Sequence, residues 1–128
     1  MTSRGRAVVT GASAGIGREF CEQLAARGHD LLVVARDGDR LQALKQELES
    51  RHGIAVEVCP ADLSAEGDIE RLATRLGRDG APALLVNNAG FGAYGRFERL
   101  DPARVREMVR LNCEALVLLA HAFLPDLR

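Results

Sequence analysis

The sequence predicts an α/β protein with a doubly wound parallel sheet, present in part as four β-α units. Continuous apolar runs alternate four times with segments whose apolar residues recur at helical spacing. The runs do not alternate apolar with polar residues, which is typical of parallel strands covered by helices on both faces. With 128 residues, the chain is expected to form one domain over residues 1–128.

Each unit is predicted from an apolar run followed by an apolar stripe. In chain order the runs are Ala7 to Val9, Leu31 to Ala35, Ile54 to Cys59 and Ala83 to Val86. The helical stripes are Ile16, Phe20 and Leu24; Leu41, Leu44 and Leu48; Ile69, Leu72 and Leu76; and apolar positions from Val105 onward. Gly28 is expected to cap the first helix, Ser64 to start the third, and Asp101 with Pro102 to start the fourth.

Composition excludes several classes of function. Seventeen basic and 18 acidic residues nearly balance, so no global field favours nucleic acid or a membrane surface. The longest apolar stretch, Ala115 to Leu124, is about half of what a bilayer span requires. The N-terminus leads into too short an apolar run for a signal peptide.

The cysteines and histidines predict neither disulfides nor a metal site. The three cysteines lie far apart in apolar segments, which is typical of buried, reduced thiols in a cytoplasmic protein; they are Cys21, Cys59 and Cys113. The three histidines are equally separated, at His29, His52 and His121.

A glycine-rich segment joins the first predicted strand to the first helix. Gly11, Gly15 and Gly17 stand where backbone N–H groups and the helix dipole favour a pyrophosphate. Gly11 is expected to make a tight turn, Gly15 to admit the phosphates, and Gly17 to let the helix lie close on the strand. Ser13 adds a hydroxyl. The spacing G-x-x-x-G-x-G leaves open a turn that binds nothing, whereas a P-loop would need Lys-Ser or Lys-Thr after Gly17.

The end of the second strand indicates which nucleotide would bind. An acidic residue there would bind a free ribose 2′-hydroxyl, but the sequence reads Val34-Ala35-Arg36. A guanidinium at this place favours a 2′-phosphate, and hence NADP(H) over NAD(H). Asp37 leaves two alternatives open, since it could hold Arg36 or accept from a ribose hydroxyl. Arg40 could assist Arg36, but we interpret it as helix surface.

Two further motifs follow the third and fourth strands, Asp62-Leu63 and Asn87-Asn88-Ala89-Gly90. With the glycine turn and Arg36 in the same order, the chain resembles the short-chain dehydrogenase/reductase family, whose fold is of the Rossmann type, over all 128 residues. The resemblance implies that Asp62 contacts the adenine ring, whereas its position alone fits a turn residue before the next helix equally well. The implied cofactor-binding residues are Gly11, Ser13, Ala14, Gly15, Ile16, Gly17, Arg36, Asp62, Leu63, Asn88, Ala89 and Gly90.

Asn112 is the one catalytic candidate. It interrupts the apolar stripe of the last helix, which comprises Val105, Val109, Asn112, Leu116, Leu119 and Phe123. A buried amide needs partners, and helix packing alone could supply them. The family resemblance implies instead that Asn112 holds a water linked to the catalytic lysine.

The other catalytic members of the family are absent from these residues. The family uses a serine and Tyr-x-x-x-Lys, but the single tyrosine, Tyr94, is followed four residues later by Glu98. The single lysine is Lys45, in the second predicted helix. The last helix is apolar on nearly every face, and the strand at Ala83 to Val86 would leave an open sheet edge. We therefore expect the N-terminal half of a longer family domain, which self-associates when made alone.

These motifs are compatible with two functions. The first is an NADP(H)-dependent oxidoreductase acting on a small apolar carbonyl or alcohol, present here as its cofactor-binding half and homo-oligomeric through the last helix. The alternative is a non-catalytic NADP(H)-binding or interaction module. A methyltransferase is a weaker interpretation, because it explains neither Arg36 nor the paired asparagines.

Overall fold

A computed structural model describes residues 4–79, 82–90 and 95–123. The strands are β1 (Arg6–Thr10), β2 (Asp30–Ala35), β3 (Val56–Pro60) and β4 (Leu84–Val86). The helices are α1 (Gly15–Ala26), α2 (Gly38–His52), α3 (Glu66–Arg78), α4 (Pro102–Val109) and α5 (Leu116–Phe123). A 3-10 turn covers Phe97–Arg99, and a π-helical stretch, here the π segment, covers Arg110–Ala115 between α4 and α5.

The four strands form one parallel sheet in the order β3-β2-β1-β4. The chain moves outward from β1 to β3 and then returns to pair β4 with the other side of β1. This reversal makes the carboxyl ends of β1 and β4 the switch point of a doubly wound sheet, where such folds bind ligands. The predicted Rossmann-type fold is confirmed.

Helices cover both faces of the sheet. On one face, alternate residues of β1 and β2 pack with α1 and α2, whose Leu41, Leu44 and Leu48 are buried. On the other face, Val8 and Leu32 pack with α3 and with Leu119 of α5. Burial on both faces explains why the strands are uniformly apolar. The stripes predicted for α2 and α3 are both buried.

The apolar stripe predicted for α1 is wrong in part. Ile16 and Phe20 are 70% and 43% exposed, and only Leu24 is buried. The helix instead turns Gly17, Cys21, Leu24 and Ala25 toward the sheet. Small residues at the first two of these positions let the helix lie close to the strands, so the larger side chains face outward.

The stripe predicted across the last helix is also wrong in part. Val109, Leu116 and Asn112 are exposed, whereas Ala115 and Leu119 are buried. The physical reason is the π segment, because its i→i+5 hydrogen bonds widen the turn and change the phase of the helix face. A stripe counted at 3.6 residues per turn cannot continue through it. The side chain of Phe123 lies outside the described residues.

The predicted helix ends are confirmed at two of three places. Gly28 has φ +87° just after α1, and the carboxylate of Asp101 accepts from the N–H of Ala103 at the start of α4. Ser64 does not start α3, which begins at Glu66 with Ala65 as its N-cap. Ser64 instead hydrogen bonds to Asp62.

The cysteines are only partly as predicted. All three are free thiols, and burial raises the pKa of Cys21 to about 12. Cys59 is partly buried, but Cys113, in the π segment, is exposed. None of the helices in the described ranges combines the length and apolar character needed to cross a bilayer.

Candidate functional site

The glycine turn between β1 and α1 has the backbone that its sequence predicts. Gly11 and Gly15 have φ of +65° and +57°, values that favour glycine. A Cβ on Gly15 would meet no protein atom within 4 Å, so the space in front of this residue is open. The helix begins at Gly15 with Ala14 as N-cap and no side-chain cap. Its first N–H groups can therefore serve an anionic ligand.

Gly17 is required for a second reason beside the one predicted. A Cβ there would collide with the carbonyl oxygen of Gly11 and would lie 2.5 Å from Nδ2 of Asn88. The third glycine therefore lets the helix lie against the turn itself as well as against the sheet. Asn88 Nδ2 in turn donates to the Gly11 carbonyl at 3.2 Å. The glycine turn and the end of β4 are built as one unit.

Thr10 is a residue of this site to which the sequence patterns assign no role. Its side chain is fully buried, and its hydroxyl accepts from the backbone N–H groups of Asn88 and Ala89, both at 3.0 Å. The same hydroxyl donates to the Val86 carbonyl at 3.4 Å. One side chain at the end of β1 thus fixes the loop that follows β4. The sequence does carry one signal for this role, because Thr10 is a polar residue at the end of an apolar strand.

Arg36 and Arg40 lie at the far side of the cleft, at the start of α2. Both line the same cavity as the glycine turn, so Arg40 belongs to the cavity wall as well as to the helix surface. Asp37 caps α2 by accepting from the N–H of Arg40 at 3.1 Å. Its other oxygen lies 3.4 Å from Nε of Arg40. Of the two alternatives for Asp37, a link to Arg36 or to a ribose, the described contacts favour neither.

Asp62 follows β3 and is held by its neighbour. Its Oδ1 accepts from the N–H of Ser64 at 3.0 Å and from the Ser64 hydroxyl at 2.5 Å. The hydroxyl bond, helped by the positive charge of Arg36, lowers the pKa of Asp62 below its ordinary value of 3.8. The backbone N–H of Asp62 donates to Asp68 at 2.7 Å. The carboxylate is therefore ionised and fixed near neutral pH.

These elements enclose an open cavity of about 580 Å³. Seven of the predicted cofactor residues line it: Gly11, Ser13, Arg36, Asp62, Leu63, Ala89 and Gly90. Val34, Ala35, Asp37, Arg40, Ala61, Ser64 and Leu111 complete the lining. The predicted Ala14, Gly15, Ile16, Gly17 and Asn88 are not in the wall; they form or brace the turn beside it. The structure thus brings the four sequence motifs to one cleft.

Asn112 lies close to the site although it is exposed, so the prediction of a buried amide is wrong. Its Oδ1 would be 2.9 Å from a Cβ placed on Gly90, and only glycine leaves it this room. Nearby, Asn87 Nδ2 donates to the Leu116 carbonyl at 2.9 Å. The two adjacent asparagines therefore bind different elements. Asn88 binds the glycine turn, and Asn87 binds α5. Tyr94 and the rest of its loop, residues 91–94, lie outside the described residues.

Within the described ranges, no three His, Cys, Asp or Glu side chains come together as a metal site would require. The chemical capacity of the cleft is that of anion and nucleotide binding. Two guanidinium groups and two held carboxylates, those of Asp37 and Asp62, line it. The uncapped N–H groups of α1 lie beside it, at the glycine turn.

Comparison with known proteins places this geometry in context. A family model described as "short chain dehydrogenase" matches residues 6–128. The very-long-chain 3-oxoacyl-CoA reductase of Kluyveromyces lactis is 33% identical over 125 residues, which cover 95% of this chain and 36% of that protein.

Two solved structures resemble the chain closely. A short-chain dehydrogenase from Sphingobium yanoikuyae in complex with NADPH has a TM-score of 0.92 and 40% identity, over 94% of this chain and 47% of its own. A bulky-bulky ketone specific alcohol dehydrogenase from Comamonas testosteroni has a TM-score of 0.91 and 38% identity, over 95% and 49%. The chain thus spans about half the length of these structures.

Proposed function

The chain belongs to the short-chain dehydrogenase family, and on that premise we propose that residues 1–128 are the NADP(H)-binding, N-terminal half of a longer oxidoreductase domain. The complete domain would act on a carbonyl or alcohol. When bound, the nicotinamide supplies or accepts the hydride. The task of these residues is to hold the dinucleotide and set its orientation.

The arrangement around Arg36 carries the proposal. Arg36 lines the cavity just after the end of β2, where Val34 and Ala35 provide no acidic side chain. Asp37, the nearest carboxylate in sequence, is engaged by Arg40 and by the start of α2, so its repulsion of a phosphate is reduced. A ribose 2′-phosphate would meet two guanidinium groups, which supports NADP(H) over NAD(H). The NADPH complex of the Sphingobium relative agrees with this choice.

The remaining cofactor groups have complementary places. The uncapped start of α1 and the open space at Gly15 fit a pyrophosphate. The fixed carboxylate of Asp62 fits the amino group of adenine. Ala89 and Gly90, at the other end of the cavity, leave room for the second ribose. Asn112, beside Gly90, is the catalytic-side residue that we assign to the hydrogen-bond network of the complete enzyme.

The substrate, assembly and compartment follow as parts of the same proposal. The names of the Kluyveromyces reductase and the Comamonas dehydrogenase give an oxoacyl-CoA and a bulky ketone, which supports a mainly apolar carbonyl substrate. Homo-oligomerisation would use the exposed apolar side of α5. Free cysteines support a reducing, cytoplasmic compartment.

A non-catalytic NADP(H)-binding module is the second candidate, because the described lining of the cleft offers groups suited to nucleotide binding. The 128 residues contain one tyrosine and one lysine, and these do not form Tyr-x-x-x-Lys. The coding sequence beyond codon 128 separates the two candidates. An in-frame serine and Tyr-x-x-x-Lys would support the oxidoreductase, whereas a stop codon with no complementing chain would favour the module.

Cofactor choice is tested by titrating the chain with NADPH and NADH. We expect tighter binding of NADPH, and Arg36→Ala should reduce the NADPH preference about tenfold to a hundredfold. Arg18→Ala is a matched control, because Arg18 is an exposed arginine that pairs with Glu47 on the outer side of α1 and α2. An unchanged ratio in Arg36→Ala, or no binding of either nucleotide by the unaltered chain, would refute the assignment.

A further inference from the structure

Arg110 connects the π segment to the loop that follows β3. Its Nη1 donates to the backbone carbonyl of Ser64 at 3.2 Å, across 46 residues of sequence. Its Nε is removed from solvent and has no hydrogen-bond partner among the described residues. That atom lies 3.6 Å from Oε2 of Glu114, an ion pair longer than a hydrogen bond. The guanidinium is therefore held between the Ser64 carbonyl, in the loop after β3, and the Glu114 carboxylate, in the π segment itself.

Ser64, which Arg110 holds, in turn holds the carboxylate of Asp62. The N–H and the hydroxyl of Ser64 both donate to Oδ1 of Asp62, while its carbonyl accepts from Arg110. The two donors and the acceptor belong to one residue, so a rotation of its backbone would disturb all three bonds together. Arg110 thus opposes the motion that would release the Asp62 carboxylate.

Arg110 acts on the cleft from outside it. Its neighbour Leu111 lines the cavity, together with Asp62, Leu63 and Ser64, but Arg110 is not among the lining residues. Its side chain is only 34% exposed, and its bond to the carbonyl is charge-assisted, which makes the contact stronger than a bond between neutral groups. The long cationic side chain at position 110 therefore binds the loop after β3, and it does not form part of the cavity wall.

Resting on the proposed function, we infer that Arg110 is a positioning residue for the adenine end of the cofactor. It would hold Ser64, and through Ser64 the Asp62 carboxylate, in the geometry that receives the adenine ring. Since the adenine ring is common to NADPH and NADH, Arg110 should contribute to both affinities equally. This separates it from Arg36, which the proposed function assigns to the 2′-phosphate.

The test compares nucleotide affinities of Arg110→Ala with those of the unaltered chain. We expect about tenfold weaker binding of both NADPH and NADH with an unchanged ratio between them. Arg110→Lys should recover most of the loss, because an ammonium group still donates to the carbonyl. Arg51→Ala is the matched control, since the half-exposed Arg51 pairs with Glu22 and Glu47 and is not among the residues that line the cavity.

Each outcome of this experiment supports or overturns the inference. If the unaltered chain binds neither nucleotide, the proposed function fails first. If it binds but Arg110→Ala stays within about twofold, or changes the NADPH to NADH ratio as Arg36→Ala should, the inference fails alone. Should circular dichroism show that Arg110→Ala does not fold, Glu114→Gln decides. It should weaken both nucleotides about threefold, and an unchanged affinity would overturn the inference.

Discussion

Two helices of this protein, α2 and α5, differ in how well their composition fits their surroundings. In α2 the three apolar stripe residues Leu41, Leu44 and Leu48 are all buried, and polar residues occupy the outer face. In α5 Leu119 is buried, but Leu116, Val117 and Leu118 are 40%, 59% and 40% exposed. A helix with apolar residues on its outer side is normally covered by a further layer.

The same difference runs through the sheet. The central strand β2 has its residues Leu31 to Val34 buried, whereas β4 lies at a sheet edge among the described residues, with Leu84 38% exposed. The core beneath α2 is therefore closed, although β3 is the second edge of the described sheet. The β4–α5 side combines an unpaired edge with an apolar helix face, which is the combination that favours association.

The largest expected effect concerns the closed core beneath α2. Leu48→Ala should lower the free energy of unfolding by about 3 kcal/mol, because it leaves a cavity in a closed core. Leu118→Ala, at a partly exposed position of α5, should cost less than about 1 kcal/mol. Urea denaturation followed by circular dichroism measures both. Equal losses would show that the two helices do not differ in the way described.

Thr10 joins the end of β1 to the loop after β4, and its replacement should give the next largest effect. Thr10→Val keeps the shape but leaves the N–H groups of Asn88 and Ala89 without their acceptor. We expect a loss of about 2 kcal/mol in the free energy of unfolding. Thr10→Ser retains the hydroxyl and is the control, so a similar loss in both variants would contradict the hydrogen-bond explanation.

A smaller effect on folding, but a clear one on association, is expected from the exposed face of α5. Replacing Leu116, Val117 and Leu118 together by serine should shift the chain toward monomer and reduce the fluorescence of a hydrophobic dye. Light scattering after gel filtration measures the first change. An unaltered chain that is already a clean monomer without dye binding would refute the predicted self-association.

The smallest effect concerns Asp62. Its pKa is lowered chiefly by the Ser64 hydroxyl, so this carboxylate stabilises the fold above its ordinary pKa of 3.8, and the contribution is lost as the pH falls through the lowered value. Ser64→Ala should therefore raise the pKa of Asp62 and move the acid loss of stability to higher pH. Carboxyl carbon NMR during an acid titration follows the change. An unaltered titration would show that the hydroxyl is not the cause.

Much of the fold was predictable because local signals agreed. The strands could be located since both sheet faces demand apolar residues, and the stripes of α2 and α3 follow ordinary helical spacing. The outward turn of Ile16 and Phe20 was not predictable from spacing alone. It depends on how closely Gly17 allows the helix to approach the turn, which is a tertiary property.

Some residues of the candidate site could be predicted from the sequence, and others could not. Gly11, Arg36 and Asp62 were found because each follows a strand at the carboxyl edge of a parallel sheet. Arg110 was missed because its partner, Ser64, is 46 residues away and only the packed structure brings them together. Asn112 lies beside Gly90, and its catalytic role stays a prediction. The expectation that it is buried is wrong, since sequence patterns do not reveal the π segment.

The π segment also constrains the length of the chain. One residue more than an α-helix needs is accommodated between α4 and α5, so deleting a residue from Arg110–Ala115 would allow an ordinary helix to form. The deletion would also rotate the residues before it by about 100° relative to those after it. Arg110 and Leu119 could then no longer both keep their present contacts. Insertions and deletions should therefore be tolerated far less here than single substitutions on the same helix.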